Sequence, residues 1–256
     1  LAQGIAGVRD RAHRAADRAS DEQTKTFQQA MALCMEALSR FADRWAEAEA
    51  NAGNAPCADC LHAVAAAPPE TLREALQLVW LVHIAFVSEG RAHMALGRLD
   101  QTLLPFYRRD IAAGRLTSQR ALDLLCHLWA HVEELGEVTN ITVGGVTPEG
   151  RDGSNELSRL MIEATRLVQS PHTNLSARFH DGSPEWYHRA CFECIRTGVG
   201  FPAVFNDHVL IPGLADAGIP MEVARDYCLV GCIETHFPGR QQPWGDGAPG
   251  GTGEST

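Results

Sequence analysis

The sequence predicts a mixed α/β chain, helical in its first part and alternating strand with helix afterwards. Three observations carry that reading. Between residues 5 and 50 apolar side chains recur at three- and four-residue steps (Phe27, Met31, Cys34, Met35, Leu38, Phe41, Trp45), with Arg and Glu filling the other positions. Near residue 140 the texture changes to short β-rich runs: NITVGG, TNLSARFH, FPAVFND and YCLVGCIE. Between these runs lie helical stretches, ELSRLMIEATRLVQ, PEWYHRACFECIRTG and PMEVARDY, and alternation at this spacing argues for an α/β sheet or barrel.

The elements follow in order. NAGNAP (51–56) is a break. Pro68 and Pro69, followed by Glu70 and Thr71, open a helix, TLREALQLVWLVHIAFV, that is apolar on nearly every side and therefore buried in something larger. Residues 88–101, SEGRAHMALGRLDQ, read as a glycine-containing loop. LTSQRALDLLCHLWAHVEEL is a helix capped by Thr117 or Ser118. Strands are expected near 140–145, 173–179, 202–206 and 228–233, placing the 231–234 turn inside a barrel-like sheet. The tail GDGAPGGTGEST is a loop or frayed end.

Composition narrows the partners. Of 256 residues 45% are hydrophobic and 21% charged, ordinary for a packed protein. Twenty-two basic against 32 acidic residues give a net charge of −10, which repels phosphate backbones, so no nucleic acid partner is expected. No apolar run reaches the ~18 residues of a membrane span, and Leu76 to Val87 is interrupted by Gln77 and His83. No basic-then-apolar leader opens the chain, so a reducing cytoplasm and free thiols are the expectation for its eight cysteines. Two CxxC pairs, Cys57/Cys60 and Cys191/Cys194, fit a zinc site by spacing, but helical context puts i and i+3 on one face anyway. His127 and His131 lack an HExxH glutamate and read as packing, so no metal is expected.

Cys232 and Glu234 stand two apart in an apolar run. In extended backbone a thiol and a carboxyl so spaced face one cavity, with Ile233 turned into the wall and Gly231 permitting close backbone approach. Spacing alone also fits a buried cysteine beside a solvated glutamate. The surrounding residues are more specific. Ala224-Arg225-Asp226-Tyr227, Gly231-Cys232-Ile233-Glu234, Pro238-Gly239-Arg240 and Trp244-Gly245-Asp246 stand in the order of an ARDY…GC-x-E…PG-[KR]…W-x-D pattern. Upstream, GRLDQTLLPFYRRDIAAG (97–114), TNITVGGVTPEGRDGSNELSRLMIEA (139–164), PHTNLSARFH (171–180) and GVGFPAVFND (198–207) continue it, and ETLREALQLVW (70–80) matches a helix in the same place. In these motifs the chain resembles the glycyl radical enzymes, the pyruvate formate-lyase superfamily, over essentially its whole length.

The resemblance implies a fold: a helical N-terminal portion (1–90) and part of a catalytic α/β barrel (91–256), all within one pyruvate formate-lyase-type domain. It also implies a chemistry. In the family a backbone glycyl radical takes a hydrogen atom from an active-site cysteine, here by position Cys232, and the thiyl radical attacks substrate, a chemistry that implies a neutral, buried and water-excluded thiol at Cys232. Glu234 would be general base or acid, its pKa raised by burial. Asp246 matches an aspartate that holds a substrate hydroxyl in diol dehydratases, and can equally be a loop cap. His93 and Ala95 replace serines that help bind polyols, so His93 is either a new substrate contact or a satisfied loop histidine. Gly231 replaces the second cysteine that the formate-lyase reaction needs, so the resemblance implies a dehydratase or lyase expelling water, an amine or sulfite. The other readings are a formate C-acetyltransferase or arylacetate decarboxylase, and a non-catalytic or zinc-binding module.

The implied cofactor is the protein-derived glycyl radical alone. The implied partners are a small-molecule substrate, a radical-SAM activating enzyme and a second copy in a homodimer. Thr235 departs from the frequent proline after the glutamate, and no R-V-[SA]-G-[YF] glycyl loop occurs. The expectation is therefore a piece of a longer enzyme, with the glycyl radical located outside this chain.

Overall fold

A computed structural model describes residues 1–91 and 93–241, so Asp246 lies outside the described residues. The chain divides into two compact units, Leu1–Ala85 and Phe86 onward.

The first unit is helical. α1 (Gly4–Asp17), α2 (Glu22–Asn51) and α3 (Ala55–Ala66) precede α4 (Leu72–Ser88). Asp21 ends the first periodic run and caps α2, its carboxylate accepting from Thr24 N at 2.7 Å. The stripe on α2 differs from the sequence reading. Phe27 and Trp45 are 60% and 48% exposed, whereas Ala32, Ala42 and Ala46 are fully buried. Small side chains let α1 and α3 approach the α2 backbone closely, around a core of Ile5, Leu38, Leu61, Val64, Leu78 and Leu81.

The second unit is built on a parallel sheet of order β1-β2-β3-β4: Ala95–Gly97, Thr139–Gly144, Thr173–Phe179 and Ala203–Asn206. Between β1 and β2 come α5 (Leu99–Thr102), α6 (Leu104–Ala112) and α7 (Ser118–Leu135). Parallel neighbours need a crossover, supplied by α8 (Glu156–Val168) and by α9 (Glu185–Cys194), which runs into a π-helical turn. Thr117 caps α7, and Asn155 with Ser158 forms a capping box on α8. After β4 come α10 (Asp207–Asp216), α11 (Met221–Arg225) and an antiparallel hairpin, β5 (Cys228–Val230) with β6 (Glu234–His236).

Two sequence expectations change. Residues 88–101 contain β1 and the start of α5, because Ala95 and Gly97 pair with Asn140 and Ile141. The strand expected at 228–233 stops at Val230, and 231–233 form the hairpin turn.

The central strands are buried on both faces but alternate in character. Ile141, Val143, Leu175 and Ala177 are apolar and fully buried, and α7 and α8 pack on the sheet. The intervening positions are Asn140 and Thr142 on β2, and Asn174, Ser176 and Arg178 on β3. Register sets Asn140 beside Asn174 and Thr142 beside Ser176. This face is polar yet buried, so its groups need partners. The hairpin supplies them for the Asn140 and Asn174 amide nitrogens, Thr142 and Arg178, while the Asn140 and Asn174 Oδ1 atoms have no hydrogen-bond partner among the described residues.

Candidate active site

The hairpin is anchored along its length to the polar face of the sheet. At its entry Arg178 Nη1 donates to the Tyr227 carbonyl at 2.7 Å, and Leu229 N donates to Thr142 Oγ1 at 2.9 Å. At its turn Asn140 Nδ2 and Asn174 Nδ2 both donate to the Gly231 carbonyl, at 3.3 and 3.2 Å. Gly231 takes a left-handed φ of +56°, the region glycine enters without penalty, and this turns the chain into Cys232.

Cys232 and Glu234 are adjacent here, though not as alternation in a strand predicts. Cys232 sits in the turn and is exposed rather than buried. Glu234 opens β6 and folds back, its Oε2 accepting from the amides of Cys232 and Ile233, both at 3.0 Å. The expected upward shift of the Glu234 pKa is also corrected. Partial desolvation pushes it up, but hydrogen bonds from the amides of Ile233, Glu234 and Cys232 outweigh that and hold the carboxyl below its ordinary value. A carboxylate so held is ionised near neutral pH and can accept a proton, though as a weaker base than an ordinary glutamate. Low burial accounts for the first correction and leaves the amide bonds to decide the second. The sheet covers one side of the hairpin, and among the described residues nothing buries the side that carries Cys232 and Ile233, the latter 67% exposed.

His93 is exposed with φ +56° and directly precedes Met94, whose carbonyl accepts from Asn140 N at 3.1 Å. It therefore stands at the end of the sheet where Asn140 and Asn174 hold the turn. No hydrogen bond among the described residues joins it to Cys232 or Glu234.

Sequence reasoning missed a buried ionic network behind the hairpin, although every member lies in a motif already singled out. Arg178 pairs bidentately with Asp207 through Nε and Nη2, both at 2.9 Å, and its guanidinium lies 3.8 Å over the Tyr227 ring. Asp207 also accepts from Tyr227 Oη at 2.8 Å and from Val146 N at 2.9 Å. Arg98 donates to Asp226 at 2.9 Å and to the Gly144 carbonyl at 3.0 Å. Asp100 accepts from Gly144 N at 2.7 Å and Ser158 Oγ at 2.6 Å, and burial raises its pKa despite Arg98 nearby. The glycine pair 144–145 is required here: a Cβ on Gly144 would overlap the Tyr187 hydroxyl, and one on Gly145 the Arg178 guanidinium. These charges fasten β1, β2, β3 and the hairpin together and do not touch Cys232 by hydrogen bonds.

The remaining candidates lie elsewhere. Cys57 and Cys60 are on α3, Cys191 and Cys194 are buried on α9, and burial pushes the Cys191 thiol up to about 12. Among the described residues no group of three His, Cys, Asp or Glu is placed to hold a metal ion. His127 and His131 are exposed on α7 rather than packed, bonded to the Asp123 carbonyl and to Glu134.

Comparison with known proteins places these features. The family model described as pyruvate formate lyase-like matches residues 1–249. The isethionate sulfite-lyase of Nitratidesulfovibrio vulgaris is 34% identical over 199 residues, covering 71% of this chain and 24% of that protein. The probable dehydratase YbiW of Escherichia coli is 33% identical over 202 residues, covering 71% and 25%. A glycyl radical enzyme from Archaeoglobus fulgidus superposes with a TM-score of 0.85 at 27% identity, over 93% of this chain and 35% of that one. The chain thus spans about a quarter of the length of the curated relatives it matches, and its parallel sheet with flanking helices fits part of such an enzyme's barrel.

Proposed function

The chain belongs to the pyruvate formate lyase-like family, and on that premise we propose that it carries the cysteine turn of a glycyl radical dehydratase or lyase. One observation carries the reading. Cys232 is presented on a backbone-fixed turn, followed two residues later by a carboxylate bonded to that turn. Relatives named as a sulfite-lyase and a dehydratase support elimination chemistry over acyl transfer, as does Gly231 where formate-lyase chemistry needs a second thiol. The reading assigns residues 1–90 to a helical N-terminal portion and 91–256 to part of the catalytic barrel.

The glycyl radical, a protein-derived group outside this chain, would supply the initial removal of the hydrogen atom from the Cys232 sulfur. The exposed thiol on a rigid turn fits such a donor. Cys232 then takes a hydrogen atom from a hydroxyl-bearing substrate carbon, re-forming its S–H bond. Glu234 accepts the hydroxyl proton, and the substrate radical expels the neighbouring group as sulfite, as an amine from its ammonium form, or as water once Glu234 passes that proton to the departing hydroxide. Cys232 returns its hydrogen atom to the product radical, leaving a carbonyl compound and restoring the thiyl. Asp246 would pin the substrate hydroxyl, and His93, at the same end of the sheet as the turn, is the candidate for a further polar contact. In the complete protein further segments would close over the open face and exclude water. The same reading brings a small-molecule substrate, activation by a radical-SAM enzyme, a homodimer and a cytoplasmic setting.

The test uses the complete, activated protein with 2-hydroxyethanesulfonate, a vicinal diol and a vicinal amino alcohol as probes. Turnover of one of them is expected, lost in Cys232→Ser with the glycyl radical still visible by paramagnetic resonance. Turnover retained in Cys232→Ser, or none of any probe in the wild type, refutes the reading.

A further inference from the structure

We infer that Asn140 and Asn174 are positioning residues, a paired carboxamide clamp that sets the backbone of Cys232 and so the direction of its sulfur. The inference rests on the reading of Cys232 as the radical-carrying residue. Its basis is the completeness of the hydrogen bonding about one Cα. Two peptide groups flank Cys232. In the first, the Gly231 carbonyl accepts from both asparagines, and the Cys232 amide donates to Glu234. In the second, the Cys232 carbonyl accepts from Asn174 Nδ2 at 3.4 Å, and the Ile233 amide donates to the same Glu234 oxygen. Both ends of both peptide planes are held, so φ and ψ of Cys232 are set and χ1 is the one torsion left to aim the sulfur.

The clamp uses its donors fully. Asn140 spends its NH2 on Gly231 O and on Ser176 Oγ at 3.2 Å; Asn174 spends its own on Gly231 O and Cys232 O. Because both turn partners are carbonyls, which only accept, the amide nitrogens must face the turn. The two side chains reach it from adjacent strands, set side by side by register, and are 0% and 7% exposed. Anchoring of the hairpin as such does not depend on them, since Thr142 and Arg178 already hold its entry. What the clamp adds is specific to the residue that carries the thiol. A hydrogen-atom transfer falls steeply with misplacement, and about an ångström can cost on the order of 100-fold in rate.

The experiment uses the complete, activated protein and the probe that it turns over. Asn140→Ala and Asn174→Ala should keep the glycyl radical signal, since each leaves the other asparagine on Gly231 O. In Asn174→Ala, which frees the Cys232 carbonyl and leaves the Gly231 carbonyl to Asn140 alone, kcat should fall about 100-fold with KM changed by no more than about threefold. Asn174→Asp separates positioning from packing and also serves if the alanine variants do not fold. Its carboxylate repels the two carbonyls, whereas its protonated form donates to one of them, so kcat should recover as pH falls while the wild-type profile does not. A kcat within threefold of wild type in both alanine variants, or an Asn174→Asp profile parallel to wild type, overturns the clamp. Cys232→Ser in the same assay keeps the two failures apart. If Cys232→Ser is dead while the asparagine variants run normally, only the clamp is wrong; if Cys232→Ser turns over, the functional reading falls and the clamp with it.

Discussion

Removing the Asp207 carboxylate tests whether the buried network holds the second unit together. Asp207 is 2% exposed and accepts four hydrogen bonds: two from Arg178, one from Tyr227 and one from Val146, at 2.8 to 2.9 Å. Arg178 is fully buried and keeps only the carbonyls of Tyr227 and Arg225 once Asp207 is gone. Asp207→Ala thus leaves a guanidinium charge in the interior without its counter-ion, a change that destabilises by about 3–5 kcal/mol. That is a factor of roughly 10² to 4 × 10³ in the folding equilibrium. Asp207→Asn, which keeps the shape and one acceptor oxygen, should fall between this and wild type. The control is Asp43→Ala, whose partner His62 is bonded at 3.1 Å with both side chains about half exposed and whose loss should cost about 1 kcal/mol or less. Urea unfolding followed by circular dichroism measures all three. A loss below about 1 kcal/mol for Asp207→Ala would refute the claim that this charge pair is desolvated and uncompensated.

Three further outcomes are expected. Gly144→Ala should destabilise by about 2–4 kcal/mol, since its φ of +69° disfavours a side chain and the new methyl group meets Tyr187; Gly53→Ala, with φ +81° and open space around it, should cost only about 1–2 kcal/mol in the same unfolding assay. The Glu234 pKa is depressed in the folded chain, so its bonds to the turn are complete above the ordinary glutamate range and are lost as pH falls through the lower folded value. Amide resonances of Cys232 and Ile233 should therefore titrate with a midpoint below that of a free glutamate, and a midpoint above it would contradict the geometry. Iodoacetamide at mildly alkaline pH should label exposed Cys34 and Cys232 of the 256-residue chain well before Cys191 and Cys228, which are buried and whose thiols burial pushes up to about 12. Peptide mass mapping that finds Cys228 labelled first would show the hairpin to be displaced from the sheet.

Local pattern determined much of this molecule. The strands Thr139–Gly144 and Thr173–Phe179 and the capped helix from Ser118 were legible because alternation, β-branched content and capping are properties of neighbouring residues. The adjacency of Cys232 to Glu234, and the motifs that mark the family, were legible for the same reason. Tertiary structure decided the rest. β1 is a strand only because β2 offers Asn140 and Ile141 as partners; nothing in Ala95-Leu96-Gly97 prefers extension by itself. The sequence could not say that Cys232 sits in a turn rather than a strand, because that follows from Gly231 being held by two asparagines 91 and 57 residues away. Nor could it foresee the downward shift of Glu234, which depends on where the carboxylate folds and not on its neighbours in the chain. The motif residues Arg98, Asp100, Arg178 and Asp207 were visible as letters, but their pairing was not. Burial of a charge is tolerable only with a specific counter-charge, and which one meets it is settled by the register of strands far apart in sequence.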